Sequence, residues 1–283
     1  MDKVTAPSVK AAKGGDKLRM VTAYDAPSAR IADRAGADMI LVGDSLANVV
    51  LGYESTPQVT MDEMIHHTAA VTRTRPRALV VGDMPWLSYH ISTEDAVRNA
   101  GRFVQEGGVG AVKLEGGAKR VETIEAVLTT EIPVMGHIGL TPQSVHAMGG
   151  YNVQGRGLEA AHALMDDAKA LADAGVFSIV LEGVPDVVAQ MITEDIDVPT
   201  IGIGAGAQCD GQVLVFHDVL GLHDGHLPKF VRKYADLAEE AVGALERFFG
   251  DVLSGEFPAE VETYHLSDEV ASALREGRKP SGG

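Results

Sequence analysis

Eight short apolar runs, separated by Ala-rich amphipathic stretches, constrain this chain more than any other feature. The runs are LRMVTAY (18–24), MILVG (39–43), ALVVG (78–82), AVKLE (111–115), PVMGHI (133–138), FSIVLE (177–182), PTIGIG (199–204) and the weaker QVLVF (212–216). They are largely continuous in apolar character rather than alternating, as in parallel strands covered on both faces. The stretches between them carry helix punctuation. Residues 27–35 open on proline and stop at Gly36, and Thr60 stands three residues before Glu63 at the head of 60–74. Ser92-Thr93-Glu94-Asp95 opens 93–106, which ends at Gly107-Gly108, and 158–174 ends at Gly175.

Eight strands with helices between them define an α/β chain, a single-domain (β/α)8 TIM barrel of the usual ~250-residue size. A doubly wound sheet would need a glycine-rich phosphate loop after the first strand, and TAYDAPSA is not one. The expected boundaries are an N-terminal extension over 1–17, a catalytic barrel with C-terminal helices over 18–275, and a flexible tail over 276–283. Both ends are rich in Gly, Pro, Ser and charge and read as loose. The amphipathic run 229–249 reads as the last barrel helix or as an oligomer contact.

Composition excludes several functions. Forty acidic against 24 basic residues give a formal charge of −16, which disfavours nucleic acid. The apolar runs fall short of the ~18–20 residues that span a bilayer, and MDKVTAPSVKAAKGGDK lacks a secretory-type apolar segment. A cytoplasmic location without membrane contact is expected. The lone Cys209 rules out an internal disulfide and a multi-cysteine zinc site.

The chemistry gathers at the ends of the runs. Asp44, Asp83, Glu115 and Glu182 each sit at a strand end, and barrel active sites lie where strands end at the C-terminal face. One such carboxylate alone reads as a helix cap or turn residue. Four at one mouth would repel by several kcal/mol without compensating positive charge. A hard divalent cation together with Lys113 would supply it. Carboxylates, a hydroxyl and no Cys/His cluster point to Mg²⁺ or a relative. A 2-oxo acid suits such a site, because its keto and carboxylate oxygens chelate one ion, which can then stabilise an enolate. Lys113 and Glu115, two apart on a strand, point the same way. Glu182 closes an apolar run; burial there would raise its pKa and make it the proton acceptor. His137, at the end of the fifth strand, faces the same mouth, either as a structural histidine or beside the substrate or base.

The segments MVTAYDAPSA, MILVGDSLANVVLGYEST, VTMDEMIHHTAAVTR, VVGDMP, AVKLEGG, VMGHIGLTPQSVHAMGGYNVQGR, VLEGVP, IGIGAGAQCDGQVLVFHDVLGL and PKFVRKY follow one another from about residue 18 to 235. In that order they resemble the ketopantoate hydroxymethyltransferase family. The resemblance implies that Asp44, Asp83 and Glu115 hold Mg²⁺, Glu115 directly or through water. It implies that Asp44-Ser45, Asp83 and Lys113 hold 3-methyl-2-oxobutanoate and that Glu182 accepts the proton. The implied one-carbon donor is 5,10-methylenetetrahydrofolate, attacked by a metal-stabilised enolate to give 2-dehydropantoate on the route to pantothenate and coenzyme A. The implied assembly is a homo-oligomer, often a decamer. Ala47-Asn48 replaces a common Gly-Met, and Gly183 replaces a common Cys; neither change removes a metal or base group.

Two rivals share the plan. Phosphoenolpyruvate mutase and isocitrate lyase relatives also join a metal to a 2-oxo acid, but typically carry a cysteine in a KKCGH-like segment absent here. A non-catalytic barrel could bind a 2-oxo acid as a sensor or scaffold. Of the remaining features, His66-His67 lie on a helix and cannot easily chelate one ion. His217, His223 and His226 read as surface and packing residues. GIGAGAQCDG reads as a phosphate cradle or as a tight turn admitting a neighbour. Trp86 could wall the pocket or simply pack, and GGYNVQGR could be a lid.

Overall fold

The computed structural model describes residues 2–150, 152–222, 225 and 227–277. His223, His226, Tyr151 of the GGYNVQGR segment and the tail beyond 277 lie outside the described residues. Eight strands form the core: β1 (Leu18–Thr22), β2 (Met39–Val42), β3 (Leu79–Asp83), β4 (Ala111–Glu115), β5 (Val134–Gly139), β6 (Ser178–Glu182), β7 (Thr200–Ile203) and β8 (Gly211–Leu214). They pair in parallel in chain order and close into a barrel. The weakest sequence signal, β8, completes the closure by pairing with β1 from Leu18↔Gly211 to Val21↔Leu214.

The helices between strands start and stop as their end residues dictate. Thr60 accepts the Glu63 backbone N–H while the Glu63 side chain returns to Thr60, capping Met61–Thr72. Asp25 and Ser28 do the same for Ala26–Arg34. Leu158–Ala174 ends on Gly175 at φ 101°, a left-handed conformation that glycine adopts without strain. No helix of the described residues is long and apolar enough to cross a membrane.

Strand periodicity sorts side chains between two layers. Met20, Met39, Leu41, Leu79, Val81, Ala111, Met135, Val180, Ile201 and Val213 fill the barrel interior. Their sequence neighbours, among them Ile40, Val42, Val80, Val112, Leu114, Ile179 and Leu181, pack outward in the cluster formed with the helices.

Residues 2–17 are not loose, contrary to the sequence reading. Thr5 caps a helix, Ala6–Lys10, whose Ala6 and Val9 join the interior cluster at the N-terminal ends of the strands. The Val4 N–H donates to the Arg77 carbonyl at 2.9 Å, and Lys13 pairs with Asp210 at 3.0 Å. The apolar signal is two residues spaced by three among lysines and glycines, too short to show as periodicity.

By its contacts the chain divides into two compact units, Met1–Ala235 and Asp236–Gly283. In the first, β8 is followed by the short helix Phe216–Leu220. The amphipathic run read as 229–249 is helical over Leu237–Ser254, in the second unit. Electrostatics explains the later start: Glu239 and Glu240 occupy the first turn, where the helix dipole favours acids, whereas Lys229, Arg232 and Lys233 would oppose it. The second unit also contains the helix Asp268–Glu276.

Candidate active site

Asp83, Lys113, Glu115, His137 and Glu182 continue the inward-facing phase set by Val81, Ala111, Met135 and Val180 one step lower. The register then decides their neighbours. Asp83 is level with Lys113, and Glu115 is level with His137. Glu182 lies opposite Gly139, one inward step above His137. Asp44 is out of phase. It lies past the end of β2, and its turn is held inward by its own backbone N–H, which donates to Asp83 Oδ2 at 3.1 Å. All seven residues singled out in the sequence (Asp44, Ser45, Asp83, Lys113, Glu115, His137 and Glu182) line one cavity of about 1140 Å³.

The polar groups form a chain of contacts across the barrel. Lys113 Nζ lies 2.8 Å from Asp83 Oδ1 and 3.2 Å from His137 Nδ1. His137 bridges two carboxylates, with Nδ1 3.4 Å from Glu115 Oε1 and Nε2 3.3 Å from Glu182 Oε2. Ser45 Oγ and the buried Tyr24 hydroxyl are 2.8 Å apart. Glu182 retains 15% side-chain exposure, so it is less buried than its apolar run suggested. The strand ends there, and Glu182 faces the open cavity rather than the packed interior.

Burial sets the electrostatics. Burial first, then the charges of Asp83 and Glu115, push the Asp44 carboxyl well above the usual range. Burial also raises Asp83, against the pull of Lys113. Glu115 is held low: burial opposes its charge, but His137, the Lys113 ammonium and the Gln143 backbone N–H together outweigh burial. Burial and the Lys113 ammonium oppose charging of His137, yet its bonds to Glu115 and Glu182 prevail and push it up to about 9. Lys113 is raised by Asp83, Glu115 and Asp44 in spite of its burial.

The carboxyl groups of Asp44, Asp83, Glu115 and Glu182 share the cavity with, among the described residues, only Lys113 and His137 as basic partners close by. Asp44 bears the strain, because the side chain bonded to its carboxylate is a neutral amide, Gln143. A divalent cation matches this shortage of positive charge, and all-oxygen donors suit Mg²⁺. Among the described residues no three His, Cys, Asp or Glu side chains are placed to hold one ion together. The donor set fits in kind: Asp44 and Asp83 offer carboxylate oxygens at one cavity, where water could complete the shell of a bound ion. Mg²⁺ commonly keeps several waters in this way.

Other sequence features resolve as packing. His67 Nδ1 contacts the Tyr24 carbonyl at 2.7 Å. Gly204, at φ 63°, has the Phe230 ring so close that a Cβ would lie 2.6 Å from it, so this glycine segment is a turn admitting a neighbour. Gly183, at φ 55° beside the base position, is likewise in the left-handed region, where cysteine would be strained. Trp86 is not among the cavity-lining residues. Val153 lines the cavity, and the Gln154 N–H donates to the Gly183 carbonyl at 2.9 Å, anchoring that segment at the rim. Two residues that the sequence did not single out stand beside the carboxylate cluster: Gln143 bonds directly to the Asp44 and Glu115 carboxylates, and the Tyr89 hydroxyl bonds to Gln143 and to the Glu115 backbone N–H.

Comparison with known proteins bears on the family. A family-wide sequence model described as ketopantoate hydroxymethyltransferase matches residues 3–260. A 3-methyl-2-oxobutanoate hydroxymethyltransferase of Syntrophomonas wolfei subsp. wolfei is 58% identical over 262 residues, 93% of this chain and 95% of that protein. One from Carboxydothermus hydrogenoformans is 56% identical over 275 residues, 97% of this chain and 100% of its own length. Among solved structures, the phosphoenolpyruvate phosphomutase of Streptomyces platensis subsp. rosaceus superposes with a TM-score of 0.58 at 16% identity, covering 96% of this chain and 95% of that one. A 2,3-dimethylmalate lyase gives 0.57 at 16% identity, covering 97% and 95%. At such identity the structural likeness shows the barrel fold alone. The near-full-length sequence matches go further: this chain belongs to the ketopantoate hydroxymethyltransferase family.

Proposed function

We propose that the chain transfers a hydroxymethyl group from 5,10-methylenetetrahydrofolate to 3-methyl-2-oxobutanoate, giving 2-dehydropantoate for pantothenate and coenzyme A synthesis. The observation that carries this reading is the meeting of Asp44, Asp83, Lys113, Glu115, His137 and Glu182 around one cavity, in a chain of this family.

Each residue has a task. Asp44 and Asp83 would hold Mg²⁺, and Glu115 would assist them directly or through water. When bound, Mg²⁺ polarises the 2-oxo group and so acidifies the C3 proton. Lys113 and Ser45 hold the acid's carboxylate, and Leu41, Val180, Ile203 and Val213 along the cavity wall take its isopropyl group. Glu182 removes the C3 proton. Its Oε2 faces His137 Nε2 at 3.3 Å, so Oε1 is the oxygen left for that transfer. His137 lies between the Glu115 and Glu182 carboxylates, 3.4 and 3.3 Å from their nearest oxygens, and so holds both in place. The resulting carbanion carbon bonds to the donor's methylene carbon; both of that carbon's C–N bonds break, one water supplies the hydroxyl oxygen, and the donor leaves as tetrahydrofolate. Toward the mouth, Val184, Pro185, Lys229 and Phe230 offer an apolar and aromatic wall for a flat pterin. The cavity, about 1140 Å³, exceeds what a small 2-oxo acid fills.

The same reading makes the protein a cytoplasmic homo-oligomer, a decamer on the family pattern. Ile91 and Leu158, 71% and 76% exposed on the barrel unit, offer apolar surface for assembly. Sedimentation velocity measures the state directly, and a monomer at micromolar concentration would remove this part of the reading.

Deuterium exchange tests the chemistry. In D₂O with Mg²⁺, 3-methyl-2-oxobutanoate should lose its C3 proton signal by NMR only when protein is present. Glu182→Gln should slow this by at least about 10²-fold, the scale of a lost general base. Addition of the folate donor should yield 2-dehydropantoate. Folded, magnesium-loaded protein that catalyses no exchange would refute the proposal.

A further inference from the structure

Behind the carboxylate cluster lies a polar network that the proposed chemistry does not use. Gln143 follows β5 in the short turn Pro142–Ser144 and is 3% exposed. Its side-chain Nε2 donates to Asp44 Oδ2 at 2.9 Å and to the Met84 carbonyl at 3.0 Å. Its Oε1 accepts from the Tyr89 hydroxyl at 2.6 Å. That hydroxyl in turn accepts the Glu115 backbone N–H at 3.1 Å. The Gln143 backbone N–H donates to Glu115 Oε2, also at 3.1 Å. Tyr89 is 1% exposed, with Arg120 stacked over its ring at 5.4 Å.

The amide is fully used. Both N–H groups meet acceptors and the carbonyl meets a donor, so its orientation is fixed by what surrounds it. The Tyr89 hydroxyl has already accepted a bond from β4 and must give its proton to Gln143. The direction of every bond in the network is therefore determined. Glutamate at 143 would set a carboxylate against Asp44, while an apolar residue would leave Asp44 Oδ2, the Met84 carbonyl and the Tyr89 hydroxyl without partners in a buried space.

We infer that Gln143, oriented by Tyr89, is a positioning residue that ties the ends of β2, β3 and β4 together and aims the Asp44 and Glu115 carboxylates at the cation. The inference rests on the proposed function, in that the cation is the one that the reaction requires. Gln143 occupies one oxygen of Asp44 and leaves the other for the ion. Its backbone occupies Glu115 Oε2 and leaves Oε1 beside His137. Tyr89 acts only through Gln143 and the β4 backbone.

The test uses the full-length protein and Mn²⁺ alone, followed by electron paramagnetic resonance, with thermal unfolding as the check on folding. Gln143→Met keeps the volume and removes the amide. It should raise the Mn²⁺ Kd about 10–100-fold, the usual cost of removing a partner of metal ligands. Tyr89→Phe should weaken Mn²⁺ less, by about 3–10-fold relative to native, below that range. Added to Gln143→Met, Tyr89→Phe should change the Kd by less than about 2-fold, because two residues acting as one unit are not additive. Native Mn²⁺ affinity in Gln143→Met with a lowered Tm would reduce the network to packing and overturn the inference. Additive losses would overturn the claim that Tyr89 works through Gln143. If the native chain exchanges the C3 proton while these variants bind Mn²⁺ normally, only the positioning role falls. If the native chain binds no Mn²⁺ at all, both readings fall together.

Discussion

The lower and upper halves of the barrel interior are built on the same strands yet obey opposite rules. Low in the barrel, Met39, Leu79, Ala111, Met135 and Ile201 are buried, apolar and sealed from below by Ala6 and Val9. One or two inward positions further along, β3, β4 and β5 carry Asp83, Lys113, Glu115 and His137, equally buried but ionisable. The first group gains by leaving water, at roughly 1.5–3 kcal/mol for each large side chain. The second loses by leaving water and persists only through mutual pairing. A step of two residues along a strand therefore separates the part that holds the fold from the part that strains it.

The largest expected effect probes the lower half. Met39→Ala should cost about 2–5 kcal/mol in unfolding free energy by leaving a cavity. Denaturant titration should show this loss while the deuterium-exchange rate per folded molecule stays within about 3-fold of native. A selective loss of exchange with stability intact would dissolve the division.

Next in size is the pH response of the metal-free protein. His137 is raised from 6.5 to about 9, so the stability it contributes is fully present below pH 6.5 and is lost as pH rises through 9. Asp44, raised above its unfolded value, works in the same direction. The Tm should fall by roughly 5 °C between pH 6.5 and 9, equivalent to a few kcal/mol. His137→Gln should flatten that slope, and an unchanged slope in the variant would remove His137 as its source.

The smallest effect is the sharpest. Asp44→Asn removes a buried charge that is opposed by Asp83 and Glu115, and it should stabilise the metal-free protein by about 1 kcal/mol while weakening Mg²⁺ binding. Calorimetric titration alongside melting measures both. A variant less stable than native would show that Asp44 serves the fold as well as the site.

The sequence conveyed the barrel because parallel buried strands and capped helices are local signals: the Thr60–Glu63 pair and the Gly175 stop need only their neighbours. It also conveyed Asp83, Lys113, Glu115 and Glu182, since period-two phase and strand ends can be read along one segment. Asp44 entered by its position after a strand, although phase alone would have turned it outward; a bond to Asp83, 39 residues away, turns it in. Gln143 and Tyr89 stayed invisible because their partners lie 99 and 54 residues distant and neither residue type is diagnostic in a loop. The N-terminal helix was missed for want of length. The burial of Glu182 was overstated because an apolar run describes the strand and not the open space beyond its last residue.

The layout of the barrel interior has a consequence for traffic through the molecule. Ala6 and Val9 join the apolar cluster low in the barrel, and the cavity above runs from the carboxylates to Phe230. On the proposed reaction, a pterin resting against Phe230 would cork the smaller acid beneath it. The acid must then arrive first, and the spent cofactor must depart before the new hydroxy acid can follow, so steady-state kinetics should show compulsory order with the one-carbon carrier second in and first out.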